Sequence, residues 1–294
     1  MRTENGFGDP RADDMTELTQ RFIRCAALIE QADGLLITAG AGIGVDTGLP
    51  DFRGNEGFWR AYPALAPARL HFQDIACPDA FRAQPRLAWG FYGHRLKLYR
   101  QTDPGPTFHI LREIAFRVPE GTFVFTSNVD GQFQKAGFAP GQVVECHGSI
   151  HHMQCLDGCM GEVWSADSWI PEVDDRTCML LSDLPVCPHC SGVARPAILM
   201  FGDREWIDHR LRAQLARLQG WRNKVERLLV IEVGAGTAIP SVRLFGEEQD
   251  APIIRINPDE AKTAADRGVS LAMRGVDAMQ GIASALIERG FLDR

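Results

Sequence analysis

Two pairs of cysteines have the spacing of metal ligands. Three residues separate Cys155 from Cys159, and after a further 27 residues two residues separate Cys187 from Cys190. Four thiolates in two chelating pairs hold Zn²⁺ tetrahedrally in closed structural sites. The spacing therefore predicts one structural zinc ion with no open coordination position. A weaker alternative set of ligands comprises the neighbouring histidines His151, His152 and His189.

A second candidate site lies in the stretch LLITAGAGIGVDTGLPDFRG, residues 35–54, where an apolar run gives way to glycines. A strand that ends in glycines lets backbone N–H groups approach a phosphate. The spacing of Gly40, Gly42 and Gly44 is not the G-x-G-x-x-G fingerprint, so a plain tight turn is the alternative. Asp51 and Arg53 follow two residues apart and need charged or polar partners, which favours a ligand-binding loop.

Two further strand ends carry polar groups. In TSNVDGQFQKAG, residues 126–137, Asn128 and Asp130 point the same way if the chain stays extended, as groups entering one pocket would. The alternative is a turn that caps a helix. In ECHGSI, residues 145–150, His147 closes another strand. One interpretation is a core histidine whose hydrogen bonds are all made. The other is a general base, since the ordinary pKa of histidine is near neutrality.

These residues are placed by an alternation of strands and helices. Apolar residues at helical spacing over 15–32 precede a buried strand at 34–38. Further strands are predicted at 122–128, 143–148, 228–234 and 252–257, and further helices at 106–117, 207–219 and 277–289. Such alternation predicts an α/β fold with a Rossmann-like, doubly wound parallel sheet, whose carboxyl edge collects the candidate residues.

Two segments interrupt this alternation and predict a smaller lobe. Residues 53–105 are rich in Trp, Phe, Pro and Arg and form a helical insertion with a cofactor loop, while residues 150–195 hold the cysteine pairs and form a zinc-binding module. The Rossmann-like domain then comprises 15–52, 106–149 and 196–294. Residues 1–14 are polar and are expected to form a disordered tail.

The amino-acid composition limits the kinds of partner that the protein is expected to bind. The chain has 294 residues, 45% of them hydrophobic, and a formal net charge of -7, so the protein as a whole has no electrostatic reason to bind nucleic acid. No apolar run approaches the roughly 20 residues of a membrane helix, and the polar N-terminus is unlike a signal peptide. We expect a cytoplasmic protein without nucleic-acid or membrane partners. The oligomeric state stays open.

Taken together, these motifs resemble those of a known family. GAGIGVDTGLPDFRG, TSNVDGQFQKAG, CHG, the cysteine pairs, ARPAILMFGD and RIN occur in the order found in sirtuins, the NAD-dependent protein lysine deacylases, and the similarity runs from about residue 20 to about residue 285. The resemblance implies that NAD binds between a Rossmann-type lobe and a small zinc lobe. The amide oxygen of an acylated lysine on a protein substrate attacks the nicotinamide ribose, and a histidine activates a ribose hydroxyl. Nicotinamide, free lysine and O-acyl-ADP-ribose are released.

The resemblance also implies roles for single residues. His147 is similar to the base, and Asn128 and Asp130 to residues that line the nicotinamide pocket. Asn257 resembles a contact to the adenine ribose. The residues that resemble NAD contacts are Gly40, Ala41, Asp51, Phe52, Arg53, Ser127, Gly234 and Asn257. The residues that resemble the strand beside the acyl-lysine are Leu199, Phe201 and Gly202.

A Tyr-x-x-Arg pattern in the helical insertion concerns the acyl group. Tyr92 and Arg95 place their polar tips on one helix face, and Ala76 is a small residue nearby in sequence. This resembles the pocket of the sirtuin subclass that prefers acidic acyl groups such as succinyl or malonyl, in which an arginine binds the carboxylate. The alternative is an arginine on a solvated helix face.

Three positions depart from the family pattern. Gly44 stands where most sirtuins have serine, Ser127 where glutamine is usual, and Ala197 where an acid follows Arg-Pro. These departures leave two alternatives to lysine deacylation. One is transfer of ADP-ribose to a protein or hydrolysis of NAD in the same pocket, and the other is a catalytically silent NAD-binding module.

Overall fold

The structure of the protein is a computed structural model that describes residues 10–50, 54–66, 69–263 and 267–293. The strands in chain order are β1 (Gly34–Ala39), β2 (Thr122–Thr126), β3 (Val143–Glu145), β4 (Gly148–Cys155), β5 (Val163–Ser165), β6 (Val173–Asp174), β7 (Met179–Leu180), β8 (Ala194–Ile198), β9 (Leu228–Val233), β10 (Ile253–Ile256) and β11 (Gly268–Leu271). The α-helices are α1 (Pro10–Gln31), α2 (Gly54–Ala61), α3 (Phe72–Ile75), α4 (Pro78–Ala83), α5 (Pro85–Gln101), α6 (Pro106–Ala115), α7 (Gln132–Lys135), α8 (His209–Arg222), α9 (Ser241–Glu247) and α10 (Gly275–Glu288). Short 3₁₀ helices span Ala41–Thr47, Pro63–Leu65 and Pro140–Gln142.

The larger lobe is a parallel sheet of six strands in the order β11-β10-β9-β1-β2-β3. Strand order reverses between β1 and β9, which is the topological switch point at which open α/β sheets bind ligands. The predicted Rossmann-like, doubly wound sheet is confirmed.

Helices cover both faces of this sheet, as the unbroken apolar run of β1 requires. Leu35 and Ile37 are buried on one face among residues of α1, α6 and α10, and Leu36 is buried on the other face with residues of α8 and α9. On that second face the rings of Phe125 and Phe245 stack with 3.7 Å between their centroids. The sheet is therefore rigidly packed, and its strand ends are fixed positions for a site.

The smaller lobe combines the helical insertion with the cysteine-containing module. Helices α2 to α5 share one apolar core with the three-stranded antiparallel sheet β5-β4-β8. Trp89 on α5 is 1% exposed and donates its Nε1–H to the Ala194 carbonyl of β8 at 2.8 Å. A Cβ on Gly90 would lie 1.9 Å from the Cys178 carbonyl oxygen, so α5 packs directly against the backbone beside β7. The two insertions thus form one packed unit.

Several element bounds differ from the predicted ones. The strands predicted at 122–128 and 143–148 end earlier, at Thr126 and Glu145, so Asn128 and His147 lie just after their strands and not within them. Helix α1 begins at Pro10, inside the segment expected to be a tail, while residues 1–9 lie outside the described ranges. Strand β8 crosses the predicted boundary at 196 and belongs to the small sheet, because it pairs with β4. Strand β11 and helix α9 were not predicted: both are short, at four and seven residues, and short elements carry few periods of any pattern.

Within the described ranges, no helix combines the length and the apolar character needed to cross a membrane.

Candidate active site

The candidate residues meet because five parallel strands end in register. Ala39 pairs with Thr126 and with Val233, Thr126 pairs with Glu145, and Val233 pairs with Ile256. The residues that directly follow these strand ends are Gly40, Ser127, Cys146, Gly234 and Asn257, with His147 one residue further on. The structure therefore brings the three motifs to one edge of the sheet, at and beside the switch point.

Two glycine loops touch backbone to backbone at the switch point. Gly42 N–H donates to the Gly234 carbonyl at 3.1 Å, and Gly40 N–H donates to the Val233 carbonyl at 3.1 Å. A Cβ on Gly40 would lie 2.6 Å from the Gly234 oxygen. Gly234 has φ of +64°, and its own Cβ would lie 2.4 Å from the Ile43 nitrogen. Only glycine allows this approach, which leaves bare backbone at the switch point.

The close backbone contact between Gly42 and Gly234 predicts that the variant Gly234→Ala is less stable than the unmodified protein. Left-handed backbone strain and the backbone overlap should together lower the free energy of unfolding by roughly 2–5 kcal/mol. Urea denaturation measures this. The matched control is Gly220→Ala, in helix α8, where a Cβ meets nothing within 4 Å and should raise stability by about 0.5–1 kcal/mol. Equal stability of the two variants would contradict the described packing.

Asn128 is held across the end of β1. Its side chain is buried, and Nδ2 donates to the Gly40 carbonyl at 3.0 Å. Its N–H donates to Thr126 Oγ1 at 3.0 Å, and that hydroxyl donates to the Ala39 carbonyl at 2.8 Å. The amide is thereby fixed beside the first glycine loop, with Thr126, which was not singled out from the sequence, as its support.

Asp130 combines the two interpretations made from the sequence. Its Oδ1 accepts the N–H of Gln132, two residues on, at 2.9 Å, which forms a turn leading into the short helix α7, whose N-cap is Gly131. Burial raises the pKa of its carboxyl to about 6, which is typical of functional sites. His151 donates Nε2–H to the Asp130 carbonyl at 2.8 Å, which joins this turn to the small lobe.

His147 lies in the turn between β3 and β4 and is half-buried. Burial lowers the pKa of its imidazole, and a hydrogen bond with the Ser127 backbone opposes the shift. The imidazole is therefore neutral at neutral pH and able to accept a proton. Its own carbonyl accepts the N–H of Leu199 at 2.9 Å, so the histidine joins the sheet edge to the segment that follows β8.

That segment, residues 199–202, presents apolar side chains to solvent beside His147. Leu199 and Phe201 are 40% and 38% exposed, and Phe201 N–H donates to the Ala76 carbonyl at 2.9 Å. Gly202 has φ of +67° and ends the segment. Arg195 and Asp203, completely buried, pair at 2.8 Å and anchor it from below. The segment is thus bonded to His147 through Leu199 and to Ala76 through Phe201.

Tyr92 and Arg95 are buried on helix α5, which overturns the alternative of a solvated arginine. Arg95 donates Nε–H and Nη2–H to Tyr99 Oη at 3.0 and 2.7 Å. Its Cζ lies 5.3, 5.8 and 5.4 Å from the ring centroids of Phe91, Tyr92 and Tyr99. The low dielectric of these surroundings strengthens the electrostatic field of the guanidinium.

The four predicted thiols form one cluster. All four sulfurs of Cys155, Cys159, Cys187 and Cys190 lie within 4.8 Å of one another; the Cys155–Cys190 pair is 3.7 Å apart and the Cys159–Cys187 pair 3.6 Å. Zn–S bonds of about 2.3 Å in a tetrahedron give S–S distances of about 3.8 Å, so the cluster fits zinc. His189, a weaker alternative ligand, pairs instead with Glu162 at 2.7 Å.

Several predicted contacts stay predictions. Asp51, Phe52 and Arg53 lie outside the described residues. Ala41 is exposed at the start of the first 3₁₀ helix. Asn257 is buried, and its amide contacts backbone: Nδ2 donates to the Ala235 carbonyl at 2.9 Å.

Comparison with known proteins agrees with this geometry. Residues 40–238 match the sequence model of the Sir2 family. An NAD-dependent protein deacylase of Aquifex aeolicus is 30% identical over 77% of this chain and 84% of its own length. Another, from Aeropyrum pernix, is 29% identical over 84% of this chain and 90% of its own length. A solved Sir2 homologue in complex with NAD shares the fold, with a TM-score of 0.67 at 22% identity over 91% of this chain and 94% of that chain.

Proposed function

The chain belongs to the Sir2 family, and on that premise we propose that the cleft at the carboxyl edge of its large sheet removes acyl groups from lysines of protein substrates while consuming NAD. The protein is an NAD-dependent protein deacylase. The observation that carries the proposal is the position of His147, whose imidazole is neutral and half-buried at a sheet edge shared with Gly40 and Asn128. Its carbonyl holds the exposed apolar segment on the other side.

The residues at the edge fit NAD. The bare backbone of Gly40 and Gly234 at the switch point is where phosphates can come close, and the buried Asn128 supplies an oriented amide beside it. When bound, NAD would supply a ribosyl carbon whose bond to nicotinamide breaks while a bond to the acyl oxygen forms. Asn128 and Asp130 orient and enclose the nicotinamide end, and His147 takes a proton from a ribose hydroxyl at its imidazole. One water molecule is consumed when the bond between the acyl carbon and the lysine nitrogen breaks, and the products are nicotinamide, free lysine and O-acyl-ADP-ribose.

The zinc module serves the substrate rather than the reaction. Four thiolates leave no open coordination position, so the metal is structural. It fixes β4 and β8, and β8 leads directly into the segment 199–202 beside which the acyl-lysine peptide lies. Because a thiolate site needs reduced cysteines, we also propose a reducing compartment, the cytoplasm.

We propose further that the acyl groups include acidic ones such as succinyl or malonyl. Arg95 supplies a buried cation, Tyr92 supplies a phenol beside it, and Ala76 is buried next to the segment 199–202. A carboxylate at the end of the acyl chain would gain a charge-assisted hydrogen bond in a site of low dielectric.

Replacing Arg95 with methionine tests this specificity. Arg95→Met should lower kcat/KM for a succinyl-lysine peptide by about 30-fold or more, the equivalent of ~2 kcal/mol, and change that for the acetyl-lysine peptide by less than about 3-fold. The matched control is Lys97→Met, on the same helix but exposed, which should leave both values unchanged. Equal losses on both peptides would exclude Arg95 as the carboxylate contact.

The deacylation itself is tested by nicotinamide release. The rate should rise when a peptide carrying acyl-lysine is added and stay at its basal value with the same peptide carrying unmodified lysine. A rate that is the same with either peptide would mean that water or another acceptor, and not the acyl oxygen, attacks the sugar.

A further inference from the structure

The tyrosines of the chain gather around one arginine. The chain has three, Tyr62, Tyr92 and Tyr99, and all three are buried. The ring centroids of Tyr92 and Tyr99 lie 5.8 and 5.4 Å from Cζ of Arg95. Burial raises the pKa of the Tyr62 phenol, and the charge of nearby Arg95 opposes that shift. The Tyr-x-x-Arg pattern contains only Tyr92 and Arg95, so it assigns no role to Tyr99.

Tyr99 is the tyrosine that holds the guanidinium. It lies one helical turn after Arg95 on α5, and its Oη accepts Nε–H and Nη2–H of Arg95 at 3.0 and 2.7 Å. Because two N–H groups of a planar fork donate to the same oxygen, they restrict the rotation of the guanidinium. Tyr62 differs, since a hydrogen bond of 3.1 Å joins its Oη to Nδ1 of His94.

The hydroxyl proton of Tyr99 has no acceptor within the part of the chain that the structure describes. The two hydrogen bonds of its oxygen are both accepted from Arg95, and a phenol has one O–H to donate as well. Tyr99 is 5% exposed, and a buried donor without an acceptor is costly. Burial raises the pKa of this phenol, so the proton stays on the oxygen at neutral pH. Tyr99 therefore has a hydrogen-bond donor available to a bound ligand.

The backbone of Tyr99 is joined to the turn that contains Asp130. Gln132, 1% exposed, donates Nε2–H to the carbonyls of Tyr99 and Thr102 at 3.3 and 3.1 Å. Its own N–H donates to Asp130 Oδ1. The charge of Arg95 also opposes the rise that burial causes in the pKa of Asp130, so the two side chains are near each other. Tyr99 and Arg95 thus lie in a fixed position beside the turn assigned to the nicotinamide end.

We infer that Tyr99 is a further specificity residue for acidic acyl groups, which holds the Arg95 guanidinium and donates its own O–H to the acyl carboxylate. This inference rests on the proposed function, because it requires an acidic acyl-lysine beside Arg95. A carboxylate has two acceptor oxygens, and a guanidinium and a phenol that touch each other can each donate to one of them. An acetyl group has no carboxylate and makes neither contact.

Steady-state kinetics of Tyr99→Phe test the inference, because phenylalanine keeps the ring and loses only the hydroxyl. The variant should raise KM for a succinyl-lysine peptide by about 10-fold and leave kcat, and both constants for the acetyl-lysine peptide, within about 3-fold. The matched control Tyr62→Phe removes the hydroxyl that bonds to His94 and should change every constant by less than about 3-fold. Equal changes on the two peptides in Tyr99→Phe, no change on either, or the same selective change in Tyr62→Phe would overturn the inference.

A failure of the inference is distinguishable from a failure of the proposed specificity. A selective loss of succinyl activity in Arg95→Met without one in Tyr99→Phe would overturn only the role of Tyr99. Because the two side chains act together, adding Tyr99→Phe to Arg95→Met should lower the remaining succinyl activity by less than about 3-fold. A further 10-fold loss would show that Tyr99 does not act with Arg95. Absence of activity on every acidic acyl-lysine peptide would overturn both proposals.

A spectroscopic measurement leaves position 99 intact. Replacing tyrosine with 3-fluorotyrosine gives the chain three fluorine labels, and the variants Tyr62→Phe and Tyr92→Phe identify the other two signals. Saturating succinyl-lysine peptide, added without NAD, should shift the Tyr99 signal in the fluorine NMR spectrum, whereas the acetyl-lysine peptide should not. An unchanged Tyr99 signal with the succinyl-lysine peptide would overturn the inference even if Tyr99→Phe failed to fold.

Discussion

Replacing His147 with alanine is expected to lower kcat for lysine deacylation by about 10²–10⁴-fold, the usual contribution of a positioned general base. Affinity for NAD and thermal stability should change little, because the side chain is only half-buried at the edge of the sheet. Since burial lowers the pKa of His147 from the ordinary 6.5, the acid limb of kcat/KM should lie below pH 6.5 in the unmodified protein. That limb should disappear in His147→Ala.

The control for this variant is His109→Ala. His109 is an exposed histidine on α6 whose Nε2 donates to the Pro104 carbonyl at 3.1 Å, far in sequence from the strand ends. It should retain full activity and the same pH profile. Product formation by His147→Ala within about 10-fold of the unmodified protein, with the acid limb intact, would mean that another group accepts the proton.

Loss of the zinc ion is expected to have the largest effect on stability. Structural zinc contributes about 10–16 kcal/mol to the folding of isolated zinc-finger peptides, and a serine hydroxyl does not replace a thiolate at neutral pH. Cys187→Ser should therefore contain no zinc, melt at a much lower temperature and lose deacylase activity, because β4 and β8 are fixed by the cluster. Metal analysis by plasma mass spectrometry and thermal unfolding measure the two effects.

Cys25→Ala is the matched control, because Cys25 is fully buried in the core of the large lobe and lies outside the cluster. It should lose a little stability through the small cavity and keep one zinc ion per chain. A full zinc content in Cys187→Ser would show that the four thiols are not the ligand set.

The strands of the large sheet could be predicted from the sequence because each is marked locally, although β2 and β3 end two and three residues earlier than predicted. A buried apolar run followed by glycine or by polar residues indicates where a parallel strand stops, and parallel strands stop at one edge. These local patterns predicted that Gly40, Asn128 and His147 lie at one edge of the sheet. The thiols were predicted for the same reason, since two close pairs of cysteines are a local pattern.

What escaped prediction depends on contacts between distant segments. The backbone contact of Gly42 with Gly234 joins loops almost two hundred residues apart, and nothing near either glycine indicates its partner. The same holds for the contact of Glu260 with Thr237, 23 residues away. Tyr99 could have been found, because it lies one helical turn after Arg95, at the spacing that brings side chains together.

The most direct test of the account is the product balance of one reaction. The purified protein is incubated with NAD and an acyl-lysine peptide, and all products are quantified by mass spectrometry. We predict equal amounts of free-lysine peptide, nicotinamide and O-acyl-ADP-ribose. Nicotinamide with free ADP-ribose and an unchanged peptide, or ADP-ribose attached to protein, would contradict deacylation as the activity of this cleft.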